Sequence, residues 1–474
     1  MSAGLDAARE ALAGSPAWLV GGAVRDALLG RPTADYDIVV AGDPARAAKA
    51  VARAGGRAAC FALSEEFGSW RVVARDNSWQ VDLEPLRGET LEADLALRDF
   101  TVNAIAQPLS GGEPIDPLGG GADLRAKRLR VAGPASFQDD PLRVLRLVRV
   151  AVELGLRPDE EALRGAREQA SGLAGVSGER VFGELRRTIA TPAARAGIEL
   201  IADIGALGVV APELDALRGV EQSAYHHADV YGHTLEVLDR AIELTTPGDP
   251  GGADAEPAIG RHRAAIAALL GEPLADGLSR GEALRWGALL HDAAKPLTRE
   301  VRPQDGRITF IGHDRAGAEL AREMLGRLRT SERLRSHVAA LVRNHLRLGF
   351  LVHEPQPLAR RTVYTYLTSC APVEADVTLL TVADRLATRG RSAERAIDAH
   401  LRLASAMLGD ALRWRAEGPP APLVRGDELA RLLDLAPGPQ LGGLLDELAQ
   451  ARYAGEIETP EQAVMHARAM LAGR

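Results

Sequence analysis

The chain has few aromatic residues, two cysteines and almost no lysine. Phe, Trp and Tyr make up 4% of its 474 residues, and its only lysines are Lys49, Lys127 and Lys295. Cys60 and Cys370 stand far apart, which excludes both a disulfide framework and the paired spacing of a zinc ribbon. We therefore expect a chain held together by aliphatic packing, with both cysteines in its core.

Long apolar runs are also missing. No stretch reaches the roughly 18 to 20 apolar residues that a membrane-spanning helix needs, and the opening MSAGLDAARE lacks the basic and apolar parts of a secretion signal. We expect a soluble, cytoplasmic protein that does not bind a membrane. Since 474 residues with 46% hydrophobic content exceed one ordinary core, we also expect two to four domains.

The charge balance is mildly acidic. A total of 57 Lys+Arg against 65 Asp+Glu gives a formal net charge of -8, which argues against indiscriminate binding to nucleic acid. The sign reverses locally, because seven basic residues lie between Arg125 and Arg149 against two acids, Asp139 and Asp140. This segment is the best candidate for an anion-binding surface, although a solvated helix face has the same composition.

The hydrophobic pattern changes along the chain. Short β-like runs, AWLV, YDIVV, WRVVAR and WQVDLEPL, alternate with helical segments over about the first 130 residues. Almost every later segment has the 3.6-residue spacing of an amphipathic helix. This pattern predicts an α+β head, a small mixed sheet with helices, followed by an all-α remainder. The Gly/Pro-rich stretch 245–260 predicts a surface loop.

Two glycines and two aspartates mark the first candidate site, in LVGGAVRDALLGRPTADYDIVV. Gly21 and Gly22 fall between a predicted strand and a predicted helix, where free amides and absent side chains admit a phosphate. In DYDIVV the strand period of two places Asp35 and Asp37 on one face. Such paired carboxylates suit Mg²⁺ ions that bridge triphosphate oxygens, although a charged strand end has the same pattern.

Four long stretches carry a family resemblance. They are GGAVRDALLGRPTADYDI, DLALRDFTVNAIA, DPLGGGADLRAKRLR and DDPLRVLRLVRV. In this order they resemble the class II tRNA nucleotidyltransferase and bacterial poly(A) polymerase superfamily, and the weaker match PLVRGDELARLLDLAPGPQLGGLLDEL extends the likeness over most of the chain. The resemblance implies an enzyme that adds C, and in many members A, to the tRNA 3′ end from CTP and ATP without a template.

The resemblance also implies roles for single residues. Asp35 and Asp37 would hold the catalytic Mg²⁺ ions. Asp140 and Arg143 would read the base edge, accepting C and A but not G and U. The other nucleotide-binding residues that it implies are Gly21, Gly22, Arg25, Arg98, Asp99 and Asn103, with Arg146 and Arg149 continuing the same helix as a row suited to phosphate contacts.

Two features depart from the family pattern. The acidic pair that includes the base-reading residue Asp140 is Asp139-Asp140, where the family usually has Glu-Asp. Only GETLEA, residues 88–93, separates Arg87 from Asp94, where the family usually carries a flexible loop associated with the switch from C to A addition. A loop this short resembles members that add only CC and leave the terminal A to a separate A-adding enzyme. Full CCA addition and CC-only addition both stay open, and the short loop favours arrest after CC.

A second candidate site lies in the helical part. HHADVYGHTLEVL, LLHDAAKP, FIGHD, VRNHL and TVADRLA carry spaced histidines and aspartates. They resemble the HD phosphohydrolase superfamily, which implies metal ligands at His233, His291, Asp292 and Asp384 and, for a possible second metal, His313 and His345. A divalent transition metal or Mg²⁺ there would position a water for attack on a phosphoester. Lys295, one turn later, either faces the phosphate or is a surface lysine.

These patterns predict four domains: a nucleotidyltransferase head over 1–132, a helical neck with the base reader and an RNA-binding surface over 133–220, an HD domain over 221–395 and a helical tail over 396–474. Three other functions share parts of the pattern. A poly(A) polymerase usually has a basic tail and no HD ligands. An RNA-binding protein with an inactive site has no reason to retain Asp35 and Asp37. An HD phosphohydrolase with a regulatory nucleotide-binding domain does not need Asp140 and Arg143.

Overall fold

The computed structural model describes residues 3–64, 68–222, 228–246, 251–388 and 393–472. The chain forms two compact units, 1–210 and 211–474. His226 and His227 of the motif HHADVYGH lie outside the described residues. None of the described helices has the length and apolar character needed to cross a membrane. The finer domain borders at 132, 220 and 395 stay predictions.

Unit 1 contains a mixed sheet of six strands in the order β3-β4-β5-β2-β1-β6. The strands are β1 (Ala17–Val20), β2 (Asp35–Val40), β3 (Ala59–Ser64), β4 (Ser69–Val73), β5 (Gln80–Pro85) and β6 (Ala106–Pro108). Strands β2 and β5 run parallel, and the other neighbours run antiparallel. The four strands that the sequence predicts are all present, which confirms the mixed sheet of the head.

Helices cover the sheet and fill the rest of unit 1. They are α1 (Ala3–Ala11), α2 (Gly22–Leu28), α3 (Pro44–Ala54), α4 (Leu91–Ala96), α5 (Gly120–Arg125), α6 (Ser136–Asp139), α7 (Arg143–Leu154), α8 (Glu160–Gln169), α9 (Gly178–Ala190), α10 (Ala194–Asp203) and α11 (Leu207–Val210). A short parallel pair joins β7 (Arg128–Leu129) to β8 (Arg157–Pro158). Side-chain caps fix helix starts: Asp43 accepts from the amide of Ala45 before α3, and Thr90 accepts from that of Ala93 before α4.

Helix α7 positions the candidate base reader. Its apolar residues Val144, Leu147 and Val148 are fully buried, and the helix packs against α9 and α10. The buried stripe at three- and four-residue spacing is the period of an amphipathic helix. Gly155 ends the helix with a φ of 63°, a conformation that glycine adopts at little cost. The charged residues of α7 that flank this buried stripe are therefore held at fixed positions relative to α9.

Unit 2 is helical except for two short hairpins within its described residues. The helices are α12 (Pro212–Asp215), α13 (Val230–Leu244), α14 (Gly252–Ile259), α15 (Arg263–Gly271), α16 (Arg280–Leu290), α17 (Lys295–Thr298), α18 (His313–Arg327), α19 (Glu332–Asn344), α20 (Arg347–Leu351), α21 (Arg360–Cys370), α22 (Glu374–Ala387), α23 (Ala393–Glu417), α24 (Gly426–Leu433), α25 (Pro439–Ala454) and α26 (Pro460–Ala472). The hairpins pair β9 (Pro273–Ala275) with β10 (Leu278–Ser279) and β11 (Glu300–Val301) with β12 (Ile308–Thr309). The predicted helical remainder is confirmed.

One predicted loop is partly wrong. Within 245–260, α14 is helical from Gly252 to Ile259, and residues 247–250 lie outside the described part of the chain. Ala255, Ala258 and Ile259 are fully buried in the core that α14 shares with α23. This apolar burial outweighs the cost of Pro257 inside the helix, a tertiary effect that local composition does not reveal.

The core of unit 2 forms where α13, α16, α19 and α22 pack together. Trp286 on α16 is 1% exposed, and Cys370 at the end of α21 is fully buried. Cys60 is only half-buried on the edge strand β3, so the expectation that both cysteines are core residues is wrong for Cys60. These helices, together with α18, which begins at His313, bring the predicted metal ligands to one place.

Candidate active sites

The first site begins with a row of carboxylates on one face of the sheet. Asp37 on β2 pairs in register with Asp82 on β5, and Asp35 and Glu84 lie two residues away on the same face. Burial, reinforced by the negative charge of Glu84, raises the pKa of Asp37 to about 6. This excess of negative charge fits a divalent cation, because a bound cation relieves the repulsion. The sequence prediction missed Asp82 and Glu84, although the alternation in QVDLEP places both on one face.

Arg98 lies beside this face, where the backbone comes close to Asp37. Gly21 has a φ of 71°, and a Cβ there would stand 3.2 Å from Asp37 Oδ2 and 3.4 Å from Arg98 Nη1. A side chain at Gly21 would be strained by the φ and crowded by both neighbours. Arg98 Nη2 donates to Asp94 Oδ2 at 3.3 Å, and its buried Nε has no hydrogen-bond partner. A buried donor of this kind is costly until a ligand accepts from it.

The connection between β5 and α4, residues 86–90, is short and fixed at both ends. Asp94 on α4 is fully buried, and its Oδ1 accepts from both the backbone N and Nε of Arg87 at 3.1 Å. Thr90 caps α4 at the other end of the connection. Since Asp94 also binds Arg98, the connection is tied directly to the arginine that lies beside the carboxylate face.

A buried polar chain links α2 to α7. Arg25 Nη1 donates to Asn103 Oδ1 at 2.7 Å, and Asn103 Nδ2 donates to Asp99 Oδ1 at 3.0 Å. Arg146 Nη1 then donates to Asp99 Oδ2 at 3.3 Å. Burial disfavours the ionised form of Asp99, but Arg146 and the Asn103 amide outweigh it and lower its pKa. The structure thus brings four of the predicted site residues into one hydrogen-bonded row.

The two residues of the candidate base reader have different partners. Asp140 follows α6, and its Oδ1 accepts from Leu142 N at 3.2 Å while its Oδ2 accepts from Arg180 Nη2 at 2.7 Å. Arg143 begins α7, and its Nη2 donates to the carbonyl of Leu97 at 3.0 Å. Arg143 therefore ties α7 to the end of α4, and Asp140 is held by an arginine of α9. No sequence motif marks Arg180, because its contact with Asp140 forms only when α9 packs on α7.

Arg149 faces protein rather than solvent. It is 7% exposed, and its Nε donates to Glu184 Oε2 at 2.5 Å while its Nη1 donates to Glu153 Oε2 at 2.7 Å. Arg146 shares Glu184, with its Nε 3.2 Å from Oε1. Arg149 is therefore not presented at the surface as the predicted row of phosphate contacts requires. Its charge is compensated inside the protein by Glu184 on α9. A phosphate contact at Arg149 stays a prediction that this geometry does not favour.

The second site is a buried group of histidines and aspartates in unit 2. His233 on α13, His291 after α16 and Asp292 place their ligand atoms within 4.8 Å of one another, and Asp292, His313 and His345 form a second such set. Asp292 Oδ2 lies 3.1 Å from His291 Nε2, and its Oδ1 lies 3.4 Å from His313 Nε2. One carboxylate therefore faces both sets, one oxygen to each.

Backbone carbonyls fix the tautomers of three histidines. Nδ1 of His291, His313 and His345 lies 2.8, 2.6 and 2.7 Å from the carbonyl oxygen three residues earlier. Because a carbonyl only accepts, each Nδ1 carries a proton and each Nε2 is the nitrogen left to act as a ligand. The Nε2 atoms of His313 and His345 face each other at 3.2 Å, close to the roughly 3.0–3.4 Å between two nitrogens bound at about 2.1 Å to one metal. His291 Nε2 is buried without a hydrogen-bond partner. This donor set fits a divalent metal.

Asp384 and Lys295 complete the group. Asp384 on α22 places Oδ1 3.0 Å from His233 Nε2, so the predicted ligand that is most distant in sequence joins the others. Lys295 Nζ lies 2.6 Å from Asp292 Oδ2 and donates to Gln222 Oε1 at 2.7 Å. Since Lys295 is only 7% exposed, its interpretation as a surface lysine is wrong.

Electrostatics keep Asp292 and His345 in ligand form, whereas Asp292 outweighs burial and raises the pKa of His291. Burial opposes ionisation of Asp292, but His291 and Lys295 hold its pKa well below the usual range. Burial, together with His291 and His313, lowers the pKa of His345 to about 4. At neutral pH the site therefore presents a carboxylate and a neutral imidazole, which are the forms that bind metals.

Three protein families match successive parts of the chain. Residues 17–130 match the family described as "Poly A polymerase head domain", and residues 155–218 match "Probable RNA and SrmB- binding site of polymerase A". Residues 261–389 match "HD domain". The first match contains the carboxylate face, and the third contains all the histidines of the buried group except His233.

Relatives and solved structures cover almost the whole chain. It is 38% identical over 94% of its length to 93% of an A-adding tRNA nucleotidyltransferase of Deinococcus radiodurans. It is 36% identical over 94% of its length to 92% of a CC-adding tRNA nucleotidyltransferase of Thermus thermophilus. The structure of a Thermotoga maritima CCA-adding enzyme complexed with tRNA shares the fold, with a TM-score of 0.61 and 19% identity over 98% of this chain and 95% of that one.

Proposed function

The chain belongs to the tRNA nucleotidyltransferase family, and from this premise we propose that it adds C residues to the 3′ end of tRNA, with CTP as donor, without a template. The observation that carries the proposal is the carboxylate face of Asp35 and Asp37 beside Gly21 and Arg98. An acceptor tRNA would supply the attacking 3′ hydroxyl. Because tRNA maturation serves translation, we place this activity in the cytoplasm.

Each part of the first site has a proposed task. Asp35 and Asp37 would hold Mg²⁺, which would supply charge neutralisation of the triphosphate and activation of the attacking hydroxyl. Gly21 leaves room for a phosphate beside Asp37, and the unpaired Nε of Arg98 donates to it. Asp140 accepts from the exocyclic amine of the base. Cytosine and adenine carry an amine at that edge, whereas uracil and guanine carry a carbonyl oxygen there. Gly22 and Arg25 adjoin the phosphate pocket, and Asp99 and Asn103 adjoin the sugar.

The fixed connection 86–90 supports arrest after CC. Asp94 and Thr90 hold its two ends, so there is no long segment between β5 and α4 to move the reader from one base to another. The relative from T. thermophilus is a CC-adding enzyme. A separate A-adding enzyme would then complete the tRNA end.

Product length tests the proposal. A tRNA without its CCA end, and versions ending in C and CC, are incubated with CTP, ATP or both, and products are resolved at single-nucleotide resolution. We expect two C residues on the first substrate, one on the second and none on the third, with no A added. Addition of all three nucleotides would restore full CCA addition. A run of A longer than one would indicate a poly(A) polymerase.

A single A addition is the second candidate, since the D. radiodurans relative is an A-adding enzyme at 38% identity. In that case the tRNA ending in CC is the only substrate that is extended, and ATP is the only donor. The fixed connection is compatible with this outcome, because it implies one base preference but does not by itself choose the base.

We propose further that the buried group of unit 2 is the metal centre of a phosphohydrolase. Four imidazoles and two carboxylates favour a divalent transition metal over Mg²⁺, which prefers oxygen ligands. The bound metal would activate a water for attack on a phosphoester, such as a 2′,3′-cyclic phosphate end. Lys295 would face the phosphate beside Asp292.

The two activities are separable because their ligands lie in different units. The double variant His291→Ala with Asp292→Ala is expected to lose hydrolysis of a 2′,3′-cyclic nucleotide in Mn²⁺, Co²⁺ or Ni²⁺ and to keep CMP transfer. His353→Ala, which removes an exposed histidine of the same unit, is the control and keeps both. Parent-level hydrolysis in the double variant would remove the phosphohydrolase assignment.

A further inference from the structure

Three charged residues of helix α9, which alternate in sign, bind side chains that lie between Asp140 and Glu153 in the sequence. Arg180 binds Asp140, Glu184 binds Arg146 and Arg149, and Arg187 Nε donates to Glu153 Oε1 at 3.0 Å. Residues 180, 184 and 187 follow the spacing of one helix face. Their partners follow in the same order from 140 to 153. The contacts therefore form a ladder along one face of α9, in which only the first contact involves Asp140.

The first contact of the ladder ends on the residue that would accept the base amine. Asp140 has an extended backbone, with φ -150° and ψ 101°, after only one turn of helix. Its Oδ1 is occupied by the amide of Leu142 and its Oδ2 by Arg180. Each carboxylate oxygen has a second lone pair, so an incoming amine can still be accepted. Arg180 thus limits rotation of the carboxylate without removing its capacity to accept.

The charge of Arg180 adds to this geometric effect. Arg143, the first cation of α7, is turned towards the carbonyl of Leu97, and no ion pair joins it to Asp140 among the described residues. Arg180 supplies the paired cation instead, and a charge-assisted hydrogen bond of this kind is shorter and stronger than one between neutral groups. A rotated Asp140 would turn its acceptor oxygens away from the base edge, and this change would weaken the selection against uracil.

We infer that Arg180 is a positioning residue for base selection, which holds the Asp140 carboxylate in the orientation that accepts an amine and rejects a carbonyl. The inference rests on the proposed role of Asp140. Arg180 needs no contact with the nucleotide for this, since it acts through Asp140. Its side chain is 51% exposed, so the pair is worth about 1 kcal/mol at most, which corresponds to about a fivefold change in discrimination.

The test measures kcat/KM for CTP and for UTP on a tRNA without its CCA end. Arg180→Gln is expected to lower the CTP/UTP ratio about fivefold, mainly through a faster UTP reaction. Arg180→Lys keeps a cation within reach of Oδ2 and is expected to return the ratio towards the parent value. Arg187→Gln is the matched control, because Arg187 lies on the same helix, is 50% exposed and is paired, but with Glu153. It is expected to keep the parent ratio.

The Asp140→Asn background separates this inference from the proposed function. If Asp140 reads the base, Asp140→Asn alone lowers the ratio, and adding Arg180→Gln lowers it no further. An unchanged ratio in Arg180→Gln, or an equal loss of rate with both nucleotides, would overturn the role of Arg180 while leaving Asp140 as reader. An unchanged ratio in Asp140→Asn would overturn the reader itself. Melting temperatures of all variants, with Arg180→Lys as the milder change, exclude loss of folding as the cause.

Discussion

Asp37 and Asp82 lie directly opposite each other on parallel strands, but their surroundings differ. Arg71 Nε and Nη2 donate to the two oxygens of Asp82 at 2.7 and 2.6 Å, whereas Asp37 has no ion pair within the described residues. A bidentate arginine neutralises Asp82 and fixes it in place. Asp37 is therefore the carboxylate whose charge is left for a cation.

Asp37→Asn is expected to reduce CMP incorporation at least about a hundredfold while tRNA binding and the melting temperature are retained. The variant removes a cation ligand but no ion pair. Labelled CMP incorporation and a filter-binding assay with tRNA measure the two properties. Asp6→Asn, an exposed carboxylate on α1, is the control. Incorporation at the parent rate would show that Asp37 is not a ligand.

Asp94→Asn is expected to destabilise the head by about 3 to 5 kcal/mol and to raise the KM for CTP. The fully buried carboxylate binds Arg87 and Arg98, and its loss leaves Arg98 buried without a counter-ion. Denaturant unfolding and initial rates with varied CTP check both effects. Glu92→Gln, on the exposed side of the same helix, is expected to change neither. A stable variant with the parent KM would mean that the connection 86–90 is held by other contacts.

Metal stoichiometry is expected to depend on Asp292 more than on any histidine. Since Asp292 belongs to both sets of ligands, Asp292→Asn should weaken binding of both ions, while His233→Ala and His345→Ala each weaken one. Titration of chelator-treated protein with Co²⁺ or Mn²⁺, followed by elemental analysis, counts the ions. Two ions retained by Asp292→Asn at parent affinity would contradict a shared carboxylate.

Stability is expected to fall between pH 6.5 and pH 4 through His337. Burial lowers the pKa of His337 to about 4, against the opposing effect of Asp376, whose Oδ1 lies 3.8 Å from its Nε2. The unfolded chain takes up this proton near pH 6.5, so lowering the pH favours unfolding. The shift implies a loss of about 2 kcal/mol between pH 7 and pH 5.

Unfolding free energies of the parent, His337→Gln and His353→Gln at both pH values test this expectation. His337→Gln has no proton to gain in the unfolded chain, so its loss between pH 7 and pH 5 should be about 2 kcal/mol smaller than that of the parent. His353 is exposed, and its variant should behave like the parent. Equal losses in all three proteins would show that other groups determine the acid sensitivity.

Much of the fold follows from local patterns. The alternation in YDIVV and WQVDLEPL gives β2 and β5, and the period of RVLRLVRV gives α7, because their spacing matches the burial that the fold provides. The parallel pairing of β2 with β5 is a long-range choice, and Asp82 and Glu84 join the site only through it. Helix α14 was not predicted for the same reason, since its burial against α23 outweighs the cost of Pro257 inside the helix.

The site residues also fall into those that the sequence predicts and those that only the packing reveals. Motif spacing singles out Asp35, Asp37 and the histidines, because their chemistry depends on residue type. The partners that hold the motif residues, Arg180, Glu184 and Asp94, are ordinary charged residues in sequence and acquire a role only through packing. Arg149 shows the opposite case, since its motif position suggests an exposed phosphate contact and Glu184 places it in the interior.

The contact between Lys295 and Asp292 lets the helical unit exist without its ion. A buried carboxylate without a counter-charge would destabilise the core strongly, but the ammonium group 2.6 Å from Oδ2 supplies that charge from within the chain. A chelator is therefore expected to remove the proposed metal-dependent hydrolysis without unfolding the helices around the group. Metal loading and folding would then be separate events, so that a change in free metal would alter the activity of the centre and leave the amount of folded protein unchanged.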